Sequence, residues 1–122
     1  MPVTSSTTSV KRWPTPDQVL DELRGWANVQ AASRPDLVAL GYFGSHARGD
    51  TGFGSDLDLV AIVSKSDLTR LERNRDWPYE RLPVPADLLV YTVDEWESMR
   101  RTGGRFARML GEEAVWVVGE AP

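Results

Sequence analysis

Two apolar runs of strand length, "LVALGYF" over 37–43 and "LDLVAIV" over 57–63, are separated only by a polar, glycine-rich link. Runs this uniformly apolar read as buried strands. If the link folds the second run back antiparallel to the first, the Gly44-Ser45 end of one strand meets the start of the other. That start carries Asp56 and Asp58, one residue apart. Alternation along a strand sends both carboxylates to one face, where they repel unless a cation lies between them. The plainer alternative is a solvated pair at the strand entrance, met by an arginine.

At 122 residues the chain reads as one domain, large enough for a modest core but too short for a second substrate-binding domain. Its 41% hydrophobic and 26% charged residues are those of a soluble globular protein. A net charge of -4 argues against an extended surface for a nucleic-acid backbone, while leaving room for a local basic patch. Without cysteine there is no disulfide framework and no thiolate metal site, so cytoplasm is the default compartment. The opening "MPVTSSTTSVKR" lacks the apolar segment of a signal peptide, and no run approaches the roughly 18 apolar residues of a membrane span. The expected organisation is a flexible polar tail over 1–12, then a single domain over 13–122.

Caps and periodicity order the rest. Thr15, Pro16 and Gln18 form a capping-box start for a helix to about Ala32, with Val19, Leu20, Leu23, Trp26 and Ala27 on one face and Ser33-Arg34-Pro35 as its stop. Ser66 or Asp67 caps a short helix around Leu68 to Asn74, "WPYERLPVP" reads as a loop and "DLLVY" as a third strand. Thr92 and Glu95 repeat the capping box before a helix that Gly103-Gly104 ends. A helical turn near Phe106 to Leu110 and a strand "AVWVV" follow. Strands alternating with helices predict an α/β or α+β fold, a small mixed sheet with helices packed on it.

The turn after the first strand, "FGSHARG", has the makings of a phosphate cradle. A Gly-Ser corner leads into one helical turn whose backbone N–H groups point outward. It is not a P-loop: Gly44 to Gly49 has the glycine spacing, but Asp50 stands where the phosphate-binding lysine is required. Nor does a dinucleotide-type Gly-x-Gly-x-x-Gly occur. The "RGD" at Arg48 to Asp50 is read as chance, since nothing marks the chain as extracellular.

Gly44-Ser45, ten residues, then Asp56-Leu57-Asp58 resembles the signature of the DNA polymerase beta-like nucleotidyltransferase superfamily, in particular its minimal single-domain members. The similarity extends through "ADLLVYTVDEWESM" and "GGRFARMLGEEAVWVV", over residues 37 to 118. The resemblance implies that Asp56 and Asp58 bind catalytic divalent metals, that Asp87 completes the site, and that Gly44 and Ser45 hold a nucleoside triphosphate such as ATP. The link from Ser64 to Pro85 is long enough for a right-handed crossover that lays the third strand parallel to the second, setting Asp87 beside Asp56 and Asp58. Hard carboxylate oxygens with phosphate oxygens point to magnesium or manganese.

The chemistry implied is two-metal transfer of a nucleoside monophosphate, AMP if the donor is ATP, to an acceptor hydroxyl. Arg48 either adds charge to the phosphate site or covers the helix surface with its stem. His46, with no histidine or cysteine companion for zinc, is expected at the surface. The five tryptophans are expected in the core or an interface, Trp77 being the one placed in an exposed loop near a partner. Minimal members of the family are often encoded beside a helical HEPN protein, as antitoxin to its toxin, which implies a HEPN-type partner as acceptor. The competing reading is a catalytically silent module that binds nucleotide or partner and regulates by contact. A small-molecule transferase would want a further acceptor-binding domain.

Overall fold

The computed structural model describes residues 14–52 and 55–122. The tail expected over 1–12, together with Trp13, Phe53 and Gly54, lies outside the described residues. Helix α1 spans Pro16–Ser33, strand β1 Leu37–Phe43, the single-turn helix α2 Ser45–Arg48 and strand β2 Leu57–Val63. The short helix α3 covers Arg70–Arg73, strand β3 Ala86–Thr92, helix α4 Val93–Thr102, helix α5 Arg105–Glu113 and strand β4 Val115–Gly119. The four strands form one mixed sheet in the order β3-β2-β1-β4.

Local chemistry explains most boundaries. Thr15 Oγ1 accepts from Gln18 N at 3.2 Å while Gln18 Oε1 accepts from Thr15 N at 2.8 Å, so two otherwise orphaned donors of α1 are satisfied. Arg34, pushed out of helical geometry by the following Pro35, closes that helix in an extended conformation. Thr92 and Glu95 start α4 by the same capping box, and Gly103, at a positive φ, ends it. The short helix before β3 starts later than the sequence predicts. Thr69 and Glu72 form its capping box, whereas Ser66 Oγ only accepts from Leu68 N in the preceding turn. The last helix is longer than the expected turn, a full nine residues that run through Gly111.

β1 and β2 pair antiparallel, with Phe43 opposite Asp58, and β2 and β3 pair parallel. Each face of this sheet has its own apolar layer. Leu40, Tyr42, Leu57, Leu59, Leu88 and Val90 pack against Val19, Leu23 and Trp26 of α1 and against Trp77 and Leu82 of the loop before β3. On the opposite face Ala39, Phe43, Val60, Ile62 and Tyr91 pack against Trp96 of α4 and Leu110 of α5. Each such side chain taken fully out of water contributes about 1.5–3 kcal/mol before entropy is counted.

Trp77 corrects an expectation. It is only 4% exposed, its ring 6.0 Å from that of Trp26 and its Nε1 donating to Arg73 O at 3.0 Å. The Arg34 guanidinium caps its outer face at 3.7 Å from the ring centroid. The loop holding Trp77 is folded down as a lid on α1, so this ring belongs to the core. Arg73 anchors the same loop from the other side. Its guanidinium, almost fully buried, reaches Glu95 Oε1 at 2.5 Å and Glu95 Oε2 at 3.1 Å, and donates to Leu68 O and Val90 O.

Candidate functional site

The end of the sheet where β1 stops and β2 and β3 begin gathers every residue of the predicted site. Parallel register sets Asp58 directly opposite Asp87, with Leu57 opposite Ala86. Strand alternation sends Asp58 to the face of Val60 and Ile62, and Asp87 to the face of Leu89 and Tyr91, so both carboxylates lie on the side covered by α4 and α5. Asp56 precedes β2 by one residue. Burial first, then the charges of Asp87 and Asp56, push the Asp58 carboxyl above the ordinary carboxylate value, while His46 and Arg48 pull it down. The Asp58 carboxylate therefore lies within electrostatic reach of both other aspartates. Among the described residues no three His, Asp or Glu side chains close into a metal cage, so the aspartates stand as an open row. Carboxylate oxygens are hard donors, the type that suits a hard divalent ion.

Gly44 turns the chain out of β1 at φ 76° and ψ -149°, and the helical turn of Ser45–Arg48 follows at once. Only a glycine fits here, because a Cβ at position 44 would collide with the Asp58 carboxylate as well as carry a positive φ. Ala47 N and Arg48 N bond back to Gly44 O, leaving the N–H groups of Ser45 and His46 as first-turn donors with no backbone acceptor among the described residues. Gly49, also at a positive φ, ends this turn.

His46 is a second correction. It is only 8% exposed, with Nε2 lying 3.3 Å from Ser55 O and Nδ1 without a partner among the described residues. The carbonyl requires the proton on Nε2 when that bond is made. The imidazole thus joins the turn after β1 to the residue just before Asp56.

Arg48 is half-exposed and held by two carboxylates, Asp50 Oδ2 at 3.1 Å from Nε and Glu113 Oε1 at 3.2 Å from Nη1. Glu113 Oε1 also accepts from Gly44 N at 2.8 Å. The sequence reading did not single out Glu113. Its one sequence signal is charge order: α5 begins with Arg105 and ends with Glu112-Glu113, the reverse of what a helix dipole favours.

The sequence profile described as a nucleotidyltransferase domain matches residues 29–117. No curated protein matches the chain. Among solved structures, a candidate nucleotidyltransferase from Sulfolobus solfataricus is similar at 20% identity and TM-score 0.60, over 83% of this chain and 80% of that one. A toxin-antitoxin crystallised with AMP-PNP is similar at 17% identity and TM-score 0.52, over 81% of this chain and 73% of the other. A mutant of the toxin-antitoxin MntA-HpeT is similar at 13% identity and TM-score 0.50, over 88% and 75%. At such identities the structures carry the fold described above and nothing finer. The profile covers most of the sheet, the Gly-Ser turn and all three aspartates, and on that ground the chain belongs to the nucleotidyltransferase domain family.

Proposed function

We propose that this chain is a metal-dependent nucleotidyltransferase that moves a nucleoside monophosphate, AMP from ATP, onto a hydroxyl of a partner macromolecule. The observation that carries this reading is the register that sets Asp58 opposite Asp87, at the sheet end where Gly44 and Ser45 turn beside the Asp58 carboxylate. In this reading Ser45, the first-turn N–H groups and Arg48 hold the β- and γ-phosphates. Asp56, Asp58 and Asp87 would hold Mg2+ or Mn2+. The bound ions would neutralise charge on the leaving pyrophosphate and lower the pKa of the acceptor hydroxyl. Asp87, on the strand farther from the Gly-Ser turn, orients that hydroxyl by accepting its hydrogen bond. The acceptor oxygen attacks the α-phosphorus in line, the bond to the β-phosphate oxygen breaks, pyrophosphate leaves and the hydroxyl proton passes to solvent.

Effective transfer needs the hydroxyl held about 3–3.5 Å from phosphorus, a grip that an acceptor protein docked at the open sheet end would supply. A macromolecular acceptor fits, and the toxin-antitoxin complexes of similar fold favour a protein one. The specific pairing proposed is an antitoxin acting on a helical HEPN-type toxin. The test combines the purified chain, the protein encoded next to it, ATP labelled at the α-phosphate and magnesium. Label on the neighbour, lost in Asp58→Asn and Asp87→Asn, is the expected result. A stable complex that never acquires label, under conditions where ATP binds, would instead make the chain a catalytically silent regulator. Neither complex nor label would refute the pairing.

A further inference from the structure

We infer that Glu113, at the last turn of α5, is a positioning residue for the nucleotide site: it fixes the Gly44 backbone and the Arg48 guanidinium in the arrangement that receives the triphosphate. This rests on the nucleotide-binding role proposed for the Gly44–Arg48 turn.

The geometry begins with sheet register. β1 and β4 pair antiparallel with Tyr42 opposite Val115, and carrying that pairing two residues on brings Gly44 opposite Glu113. At residue 113 the chain is still helical, so no β4 carbonyl is available there. The Glu113 side chain takes the place of the missing ladder partner, Oε1 accepting from Gly44 N at 2.8 Å. Without it this part-buried N–H loses its acceptor.

One oxygen serves both groups. The same Oε1 accepts from Arg48 Nη1 at 3.2 Å, so the turn's first residue and its last are tied to a single carboxylate on a different element. The tie reaches Asp58 too, because the α-carbon of Gly44 lies so close against that carboxylate that no Cβ fits between them. Displacing Gly44 therefore moves the surface on which Asp58 rests. Arg48 keeps Asp50 as its second anchor, which leaves Glu113 to set the direction of the Nη1 edge.

The helix dipole does not favour a carboxylate here. An acidic group at a helix C-terminus meets the negative end of the macrodipole. α5 has no basic residue in its last turn and no acidic residue in its first. A local rule broken at a site that two functional groups share is the pattern expected where structure serves function.

Three variants separate positioning from general stability. Glu113→Ala removes the acceptor shared by Gly44 N and Arg48, Glu113→Gln keeps a neutral oxygen for Gly44 N, and Glu112→Ala removes the exposed neighbouring carboxylate as a control. The readouts are ATP affinity by calorimetry with magnesium, amide hydrogen exchange at Gly44, and the KM and kcat of transfer. The expected result for Glu113→Ala is at least tenfold weaker ATP binding, faster exchange at Gly44, and a KM for ATP raised with kcat changed by less than about threefold. Glu113→Gln should restore Gly44 protection and most of the affinity, and Glu112→Ala should match wild type in all three. Unchanged Gly44 exchange in Glu113→Ala, or faster exchange with unchanged ATP affinity, overturns the inference. If wild type itself binds no ATP, the nucleotidyltransferase reading fails and this inference with it; if wild type binds ATP and Glu113→Ala binds it equally well, this inference alone fails.

Discussion

Replacing Gly44 by alanine tests the tightest contact in the site. Two costs add. The backbone at φ 76° and ψ -149° lies where a side chain is strained, about 1–3 kcal/mol. The new methyl also collides with the Asp58 carboxylate, an overpacking cost of about 1–3 kcal/mol. The sum is about 2–6 kcal/mol. With an unfolding entropy near 2.1 cal/mol/K per residue over 122 residues, each kcal/mol lowers Tm by about 4 °C, so the shift should be about 8–24 °C. Gly49→Ala is the control, because it too has a positive φ, 78°, but nothing within 4 Å of the added methyl; it should cost only about 1 kcal/mol. The collision is isolated by Asp58→Ala in the Gly44→Ala background, which should recover its share as a favourable coupling of about 1–3 kcal/mol. Thermal unfolding followed by circular dichroism measures wild type, the three single variants Gly44→Ala, Gly49→Ala and Asp58→Ala, and the double variant. Equal losses in Gly44→Ala and Gly49→Ala, or a coupling of zero, would refute the claim that Asp58 occupies the space glycine leaves open.

Asp58→Asn should separate stability from binding. The Asp58 carboxyl is raised in the folded protein, so its ionisation opposes folding: the stability tied to its protonated form is present below the ordinary carboxylate pKa and lost as pH rises through the raised value. At neutral pH the variant should melt at or above the wild-type temperature while losing magnesium-dependent ATP binding; calorimetry that finds equal affinity with and without metal removes the metal role. Asp87→Asn should retain most ATP affinity yet lose transfer by about 10² or more, measured with labelled ATP and a confirmed acceptor. Arg73→Ala, which leaves Glu95 without its bidentate partner and Val90 O and Leu68 O without a donor, should cost about 2–4 kcal/mol by urea unfolding. The Arg73 hydrogen bond is the largest cause holding the Glu95 carboxyl below the ordinary 4.5. The stability it confers is present above that pH and lost as pH falls further, so the wild type should weaken below about pH 4.5 more steeply than Glu95→Gln.

What the sequence determined by itself is the set of short-range choices. Thr15-Gln18 and Thr92-Glu95 cap their helices with groups three residues apart, and the apolar runs at 37–43 and 57–63 have only one comfortable length and period. The spacing from Gly44-Ser45 to Asp56 and Asp58, with the resemblance it carries, also named the aspartates that the structure brings to one sheet end. Local signals failed where contacts are long-range. Trp77 sits in a segment rich in proline and charge that reads as solvated, and only the stacking of Trp26 and Arg34 on it makes it core. His46 looked like a surface residue because nothing near it in sequence reports that Ser55 folds back to its ring. Glu113 is 69 residues from the Gly44 amide it accepts from, and no periodicity links them. The tertiary structure decided these three because each is a contact between segments that only the fold brings together: a loop on α1, a link on a helical turn, and a helix end beside β1. Sheet register is set by packing summed over both apolar faces, and that sum is not written in any one stretch of the chain.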